Sequence, residues 1–507
     1  MSNHKWEAVN DKDFEAILED SVSALPPDNI VANVTPWKKS MNRVLIGMAL
    51  TAITLNFWYL NYILPTIGII LMLLGFRTLK SENKWFKNCF ILSVIRAIYL
   101  FPSLILNTTI LQSAIYTAQM TPVLTIVNLA LIFVEFVCLW RGFISVQKKA
   151  GLPPHASAAV ALIVWYALMC LLALIQYNGL IIGGAMIVGY IFIIRNLYKL
   201  SKELDEAGYT IHLTPVKVTD RGITLLLVAI LLIGCICGYA FGSSYPMEWT
   251  ELNADEHAGV ADIKAHLLSL GFPEYVLNDL TAEDIAACAG ALQVVTDITD
   301  EPADDGRTKI TEHSSSEGHH IVQDAGYDTK KLRITGVGVQ IAAEQERWII
   351  FHHFLWIPDS GFHGTESIQL WPVYQSTPEG WCAAGPVTGR VLHDQEGQTF
   401  TADYYSLGFQ NFTSSSIFWG EQSNTDIFAT FSMPYNSQQQ RGYLAYPVDE
   451  VQDGYIIDSW VNYTYQYSWF QYPAVTAMEK RMSNAWNNAG AFKTIQNALQ
   501  FYPERIN

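Results

Sequence analysis

The sequence predicts an α+β membrane protein: a multi-helix transmembrane bundle, then a small helical neck and an antiparallel β-sandwich or jelly-roll-like ectodomain. Three observations predict it. Half of the 507 residues are hydrophobic and 15 % are charged, a balance too oily for ordinary soluble domains. Lys and Arg exceed Asp and Glu by 5 over residues 1–243 and fall short of them by 21 over residues 244–507, which together give the net −16. The third observation is Gly222 to Gly242, GITLLLVAILLIGCICGYAFG, where the oily half ends. Its length matches the roughly 20 residues a helix needs to cross a hydrocarbon core. Asp220 and Arg221 stop it on one side, and Tyr239, Tyr245 and Trp249 supply an interfacial aromatic belt on the other.

Residues 1–41 are acidic and lack the basic start and apolar core of a secretory signal, which predicts a cytoplasmic N-terminal segment. Phe14, Ile17 and Leu18 suggest a short amphipathic helix there. Residues 42–243 hold seven candidate spans, at about 43–60, 62–76, 89–106, 122–140, 157–176, 179–195 and 222–242. The second is short and begins near Pro65, as a re-entrant hairpin would. Lys and Arg cluster in alternate connections: Arg77 to Lys87, Arg141 to Lys149, and Arg195 to Arg221. The intervening connections, Asn61, 107–121 and Tyr177–Asn178, contain neither. That asymmetry predicts an internal N-terminus, and an odd number of crossings then places the C-terminal domain outside the plasma membrane.

Beyond residue 243 the periodicity predicts a helical neck over 244–296, with Thr281-Ala282-Glu283-Asp284 as a capping box. An acidic linker follows over 297–331. From 332 to 472 short apolar runs separated by turns predict the sandwich. Trp348 to Trp356 is apolar on both parities, as a strand covered on both faces would be. Asp394-Gln395-Glu396-Gly397 reads as a hairpin turn. The chain is expected to close with a C-terminal helix over 473–507, running roughly from Ala474 to Gln500.

Arg96 and Glu135 stand out inside the bundle, because an ionisable group in a span costs several kcal/mol unless it is paired or hydrated. Both lie at the inner third of consecutive antiparallel helices, so they are expected to pair as a structural staple rather than a relay. Gly234, Gly238 and Gly242 recur every fourth residue and make a smooth stripe for helix packing, within the chain rather than between copies. Tyr463, Tyr465, Tyr467 and Trp469 alternate with polar residues, so in a strand they share one face: a buried sandwich face, or a row that stacks on ligand sugars.

No metal or cofactor is expected. His352 and His353 are adjacent and point to opposite faces of a strand, and His319, His320, His363 and His393 add no ligand spacing. The frame from Glu301 through Asp305 and Gly306 to Glu312 has Ala303 where a calcium loop needs an oxygen ligand. Cys288 and Cys382 are the two cysteines outside the bundle and a candidate disulfide. Asp403, Glu421, Asp426 and Asp458 are the carboxylates available for a glycosidase-type pair. The acidic domain disfavours a nucleic-acid partner.

The expected function is an integral plasma-membrane protein, with lipid bilayer around its helices and an ectodomain that binds an envelope glycan or a partner protein. A transporter or transporter accessory subunit, and a membrane-anchored hydrolase, are the competing classes. Composition does not set the oligomeric state.

Overall fold

The computed structural model describes residues 34–52, 57–117, 119–175, 177, 179–212, 218–303, 330–343, 346–357, 364–375, 380–416, 420–435, 437–483 and 490–503. The Phe14–Leu18 pattern, most of the calcium-like frame, and His319, His320 and His363 lie outside them. The chain divides into two compact units, residues 1–105 with 115–235 and residues 106–114 with 236–507.

The first unit is helical, and the helical residues 111–114 and 236–242 belong to the second. Helix α1 is Trp37–Ala52, α2 Leu60–Leu79, α3 Lys84–Leu106, α4 Leu111–Ile115, α5 Met120–Lys149, α6 Ser157–Leu174, α7 Leu180–Glu206 and α8 Asp220–Gly242. Six of them, α2, α3 and α5 to α8, are long and apolar enough to cross a membrane by length and composition. The first of the seven expected spans is a helix of 16 residues that begins at Trp37 rather than near residue 43. The second is longer than its hydropathy suggested, 20 residues with Pro65 near its start.

Glycine joins α1 to α2. A Cβ on Gly47 would lie 2.5 Å from the Gly68 carbonyl oxygen, one on Gly68 2.6 Å from the Gly47 oxygen, and one on Gly75 2.8 Å from the Ser40 oxygen. Backbones this close leave room for hydrogen alone. Trp58 and Tyr59 make the turn between the two helices in left-handed backbone, at φ 48° and 59°.

Polar ties gather the basic connections at one end of this unit. Arg43 and Arg77 both reach Asp220, at 2.6 and 3.0 Å. The Tyr209 hydroxyl donates to Glu82 at 2.5 Å, and His155 lies 3.1 Å from Glu203. Trp37 is fully buried at the same end, where Nε1 donates to Ser201 Oγ and the ring meets Phe86, Phe143 and Tyr209. A short pairing of β1 (Val34–Pro36) with β2 (Thr210–His212) closes it.

The second unit is built from two antiparallel sheets. The strands are β3 Thr250–Glu251, β4 Gln293–Pro302, β5 Lys331–Ala342, β6 Arg347–Ile357, β7 Glu366–Trp371, β8 Trp381–Ala383, β9 Thr388–Gln395, β10 Gln398–Asp403, β11 Ser406–Ser416, β12 Gly420–Phe431, β13 Gln438–Glu450, β14 Ile457–Gln466 and β15 Phe492–Phe501. One sheet has the order β3-β10-β9-β13-β6-β5-β4, with β8 on β13, and the other β11-β12-β7-β14-β15. They face each other across a core containing Trp348, Ile350 and Phe354 from the first and Leu370, Phe431 and Tyr463 from the second. Glu396 and Gly397 form the two-residue turn between β9 and β10, both at positive φ as a type I′ hairpin requires.

Three sequence expectations need correction. The helix expected from Ala474 to Gln500 is α12, Ala477–Ser483, followed by β15, which pairs with β14 from Gln466–Phe492 to Ile457–Phe501. The acidic linker begins as β4, an edge strand paired with β5. The neck is a third layer: α9 (Ala261–Ser269), α10 (Glu274–Asp279) and α11 (Ala282–Ala287) lay Leu267, Phe272, Leu277 and Ile285 on Val337, Phe351 and Tyr443 of the first sheet. That layer explains β6, whose even residues face the sandwich core and whose Ile349 and Phe351 face the helices.

Candidate functional site

Arg96 and Glu135 meet. Nη1 of Arg96 on α3 lies 2.7 Å from Oε2 of Glu135 on α5, and Ser93 Oγ donates to Oε1 at 3.0 Å. Glu135 is 1 % exposed and Arg96 9 %. Both carboxylate oxygens are engaged, so the arrangement joins two helices and leaves no acceptor facing a cavity.

The glycine stripe on α8 faces chain segments next to it. A Cβ on Gly234 would sit 2.4 Å from the Ile105 side chain, and one on Gly242 would sit 2.7 Å from Thr109. Gly238 is half-buried between them in sequence.

The aromatic row does not share one environment. Tyr463 and Tyr465 are core residues at 0 % and 7 % exposure, and β14 ends at Gln466, leaving Trp469 65 % exposed. Tyr467 is partly exposed, with Lys493 Nζ 4.9 Å above its ring. The outward parity of β14 is Trp460, Asn462 and Thr464. Trp460 stacks on Trp371 at 5.7 Å, and Gln369 bridges Asp426 and Arg481 with two contacts of 2.5 Å. Burial pushes the Asp426 carboxyl up, against the opposing pull of Gln369 and Arg481. This polar network fastens α12 over the second sheet.

His352 and His353 point apart, as expected of neighbours in a strand. His353 Nε2 lies 2.8 Å from Asp279 on α10, while His352 Nε2 lies 2.7 Å from Ser459 Oγ between the sheets. Among the described residues no group of three metal-ligating side chains converges. Cys288 and Cys382 are both free thiols. Asp458 and Asp426 each accept from a glutamine, and Asp403 is exposed at the end of β10. Glu421 is exposed too.

A concave feature lies at the end of the sandwich, where β8, β13 and β14 meet the chain leaving β7. It is a half-open cleft of about 200 Å³, lined by Tyr374, Trp381, Tyr446, Tyr455, Asp458 and Ser459. Local sequence shapes it. Gly380 turns at φ 85°, and a Cβ there would fall 2.3 Å from the Tyr455 side chain, so the absence of one lets Tyr455 close the wall. Trp381 Nε1 donates to the Tyr455 carbonyl at 3.2 Å, and Val451 N to the Gly380 carbonyl at 2.8 Å.

Behind the cleft, Ser459 Oγ lies 2.7 Å from both Tyr446 Oη and His352 Nε2. Burial lowers the His352 pKa to about 3, so the ring is neutral at physiological pH. Its Nδ1 has no partner among the described residues, so no described carboxylate orients the ring as in a serine-activating triad. What the cleft presents is chiefly aromatic side chains and their hydroxyls. Sequence reading missed Trp381 and Tyr455; the Gly380 and Gly454 positions beside them were the available signal.

No family model matches the chain, and no curated protein does. Among solved structures it is similar to one described as a pore forming protein, over 34 % of this chain and 80 % of that one, at 8 % identity and a TM-score of 0.15. A superposition that poor carries no argument about fold or activity.

Proposed function

We propose that the chain is a multi-pass plasma-membrane protein that holds its β-sandwich on the extracytoplasmic side and binds an envelope sugar in the Trp381–Tyr455 cleft. The observation that carries this is the lining. Aromatic faces stack on the C–H faces of a sugar ring, while the Tyr374 and Tyr455 hydroxyls accept from and donate to its hydroxyls. A cleft of about 200 Å³ suits a single ring. It is too small to anchor a protein partner alone, since stable protein interfaces bury more than about 1,000 Å².

The outward placement is supported by the ties of Arg43 and Arg77 to Asp220 at the start of α8. The basic connections lie at that end, and α8 leads away from it into the sandwich. The N-terminus is then cytoplasmic. A relay role for Arg96 and Glu135 has less support, because the two are paired with each other and Ser93 holds the second carboxylate oxygen.

The test is titration of the full chain in lipid nanodiscs with neutral mono- and disaccharides, read by calorimetry. Saturable binding that is lost in Tyr455→Ala and retained in Trp371→Ala supports the cleft. Absence of saturable binding by every sugar, or binding indifferent to Tyr455→Ala, overturns it.

A further inference from the structure

The second unit exposes aromatic side chains beside the end of α8. Trp469 is 65 % exposed and Phe470 51 %, on the loop that follows β14. The Trp469 ring stands edge-on to Tyr239 of α8, with centroids 6.4 Å apart, and touches Phe470 at 5.8 Å. Phe241, two residues further along α8, is 86 % exposed.

Backbone bonds hold the loop at this level. Ala474 N donates to the Asn107 carbonyl at 2.7 Å, Gln112 Nε2 donates to the Ala474 carbonyl, and Ile110 N donates to the Gly242 carbonyl at 2.8 Å. The end of α8, the segment 107–112 and the loop 467–474 thus form one fastened platform within the unit. Tyr405 and Tyr435, both exposed, extend it: Tyr405 stacks on Tyr245 at 4.6 Å, and Tyr435 edges an open groove shared with Tyr239 and Ser243. Neither Lys nor Arg occurs in residues 236–249, 404–407, 432–437 or 467–475.

We propose that this platform is a lipid-docking surface, with Trp469 and Phe470 inserted at the headgroup–acyl boundary of the bilayer that α8 crosses. The argument for the occupant is continuity. Trp469 packs on a ring of the helix itself, so where the last turn of α8 emerges from hydrocarbon, the loop is at the same depth. Amphipathic rings prefer that depth, and a soluble domain pays for contiguous exposed aromatics in solubility unless something covers them. The platform's own segments carry no Lys or Arg, and Lys493 beside them is held over the Tyr467 ring at 4.9 Å, so the surface suits the neutral interfacial region rather than a polybasic attraction to anionic headgroups. The sandwich is then held against the membrane rather than swinging from a tether.

This rests on α8 being a span, and the experiment separates the two. A photoreactive diazirine analogue of phenylalanine is placed singly at Trp469, Phe470, Ile236 on the exposed face of α8, and Ile298 on the edge strand β4, in the full chain in phosphatidylcholine nanodiscs. Lipid adducts are measured by mass spectrometry. The expected result is adducts at 236, 469 and 470 several-fold above those at 298, unchanged when part of the phosphatidylcholine is replaced by phosphatidylglycerol. Adducts at 236 with none at 469 and 470 overturn the docking surface and leave the span. No adducts at 236 overturn the span and the surface with it. Adducts at 469 and 470 that require phosphatidylglycerol overturn the neutral interfacial assignment.

Discussion

Arg96 Nη1 and Glu135 Oε2 stand 2.7 Å apart at the crossing of α3 and α5, with Ser93 completing the carboxylate's shell at 3.0 Å. Removing one partner leaves the other charge buried, which in comparable pairs costs about 3–5 kcal/mol. Arg96→Ala and Glu135→Ala should each reduce folded yield and lower the thermal midpoint in detergent. Arg96→Glu with Glu135→Arg should recover part of it. Additive losses in the double swap would show that the two do not act together.

Gly47 and Gly68 answer each other across the α1–α2 hairpin: a Cβ on Gly47 would lie 2.5 Å from the Gly68 carbonyl oxygen, and one on Gly68 2.6 Å from the Gly47 oxygen. Overpacking of this kind costs about 1–3 kcal/mol per site. Gly47→Ala and Gly68→Ala should each lower the thermal midpoint, whereas Gly183→Ala, where a Cβ meets open space, should not. Equal effects at all three would contradict the close approach.

Gly380→Ala places a Cβ against Tyr455 and strains a backbone at φ 85°. The cleft wall should shift, so sugar affinity should fall at least tenfold while the sandwich stays folded by circular dichroism. Retained affinity would show that Tyr455 does not line the binding surface.

Asp279 ties the helical layer to the first sheet. Burial pushes its carboxyl up, but His353 and Arg441 outweigh burial and hold it below the usual aspartate range. Arg441 is in turn shared with Asp394, and Arg390 Nε donates to the Asp279 carbonyl. Because the folded pKa is lower than the unfolded one, near 3.9, the tie contributes fully above that pH and is lost as pH falls below it. Asp279→Asn should therefore lower stability at neutral pH by about 2 kcal/mol and flatten its loss as pH falls below the unfolded aspartate value. An unchanged acid limb would place the titrating group elsewhere.

The strands were legible where one apolar run faced one environment. Trp348 to Trp356 announced a doubly covered strand because both parities are oily, and the helices α9 to α11 supply the second cover. The same property concealed β15. Phe492, Ile495 and Leu499 recur at spacings of three and four, as on a helix, yet Phe492 packs on Ala477 of α12 while Ile495 and Leu499 enter the sandwich core. Pairing with β14 decides between the two periods, and that pairing is not local in sequence. The burial of the aromatic row was hidden for a related reason. Tyr463 and Tyr465 look like a sugar platform in one dimension, but the core takes them. The cleft instead gathers Trp381 of β8, Tyr446 of β13 and Tyr455 of the loop before β14, residues that no spacing rule relates.

The side of the membrane that α8 delivers the sandwich to is tested by tagging both chain ends and treating intact cells with a protease that cannot enter. The C-terminal tag should be removed and the N-terminal tag spared until the cells are opened. A C-terminal tag that survives on intact cells would put the sandwich and its cleft in the cytoplasm, and the envelope ligand with them out of reach.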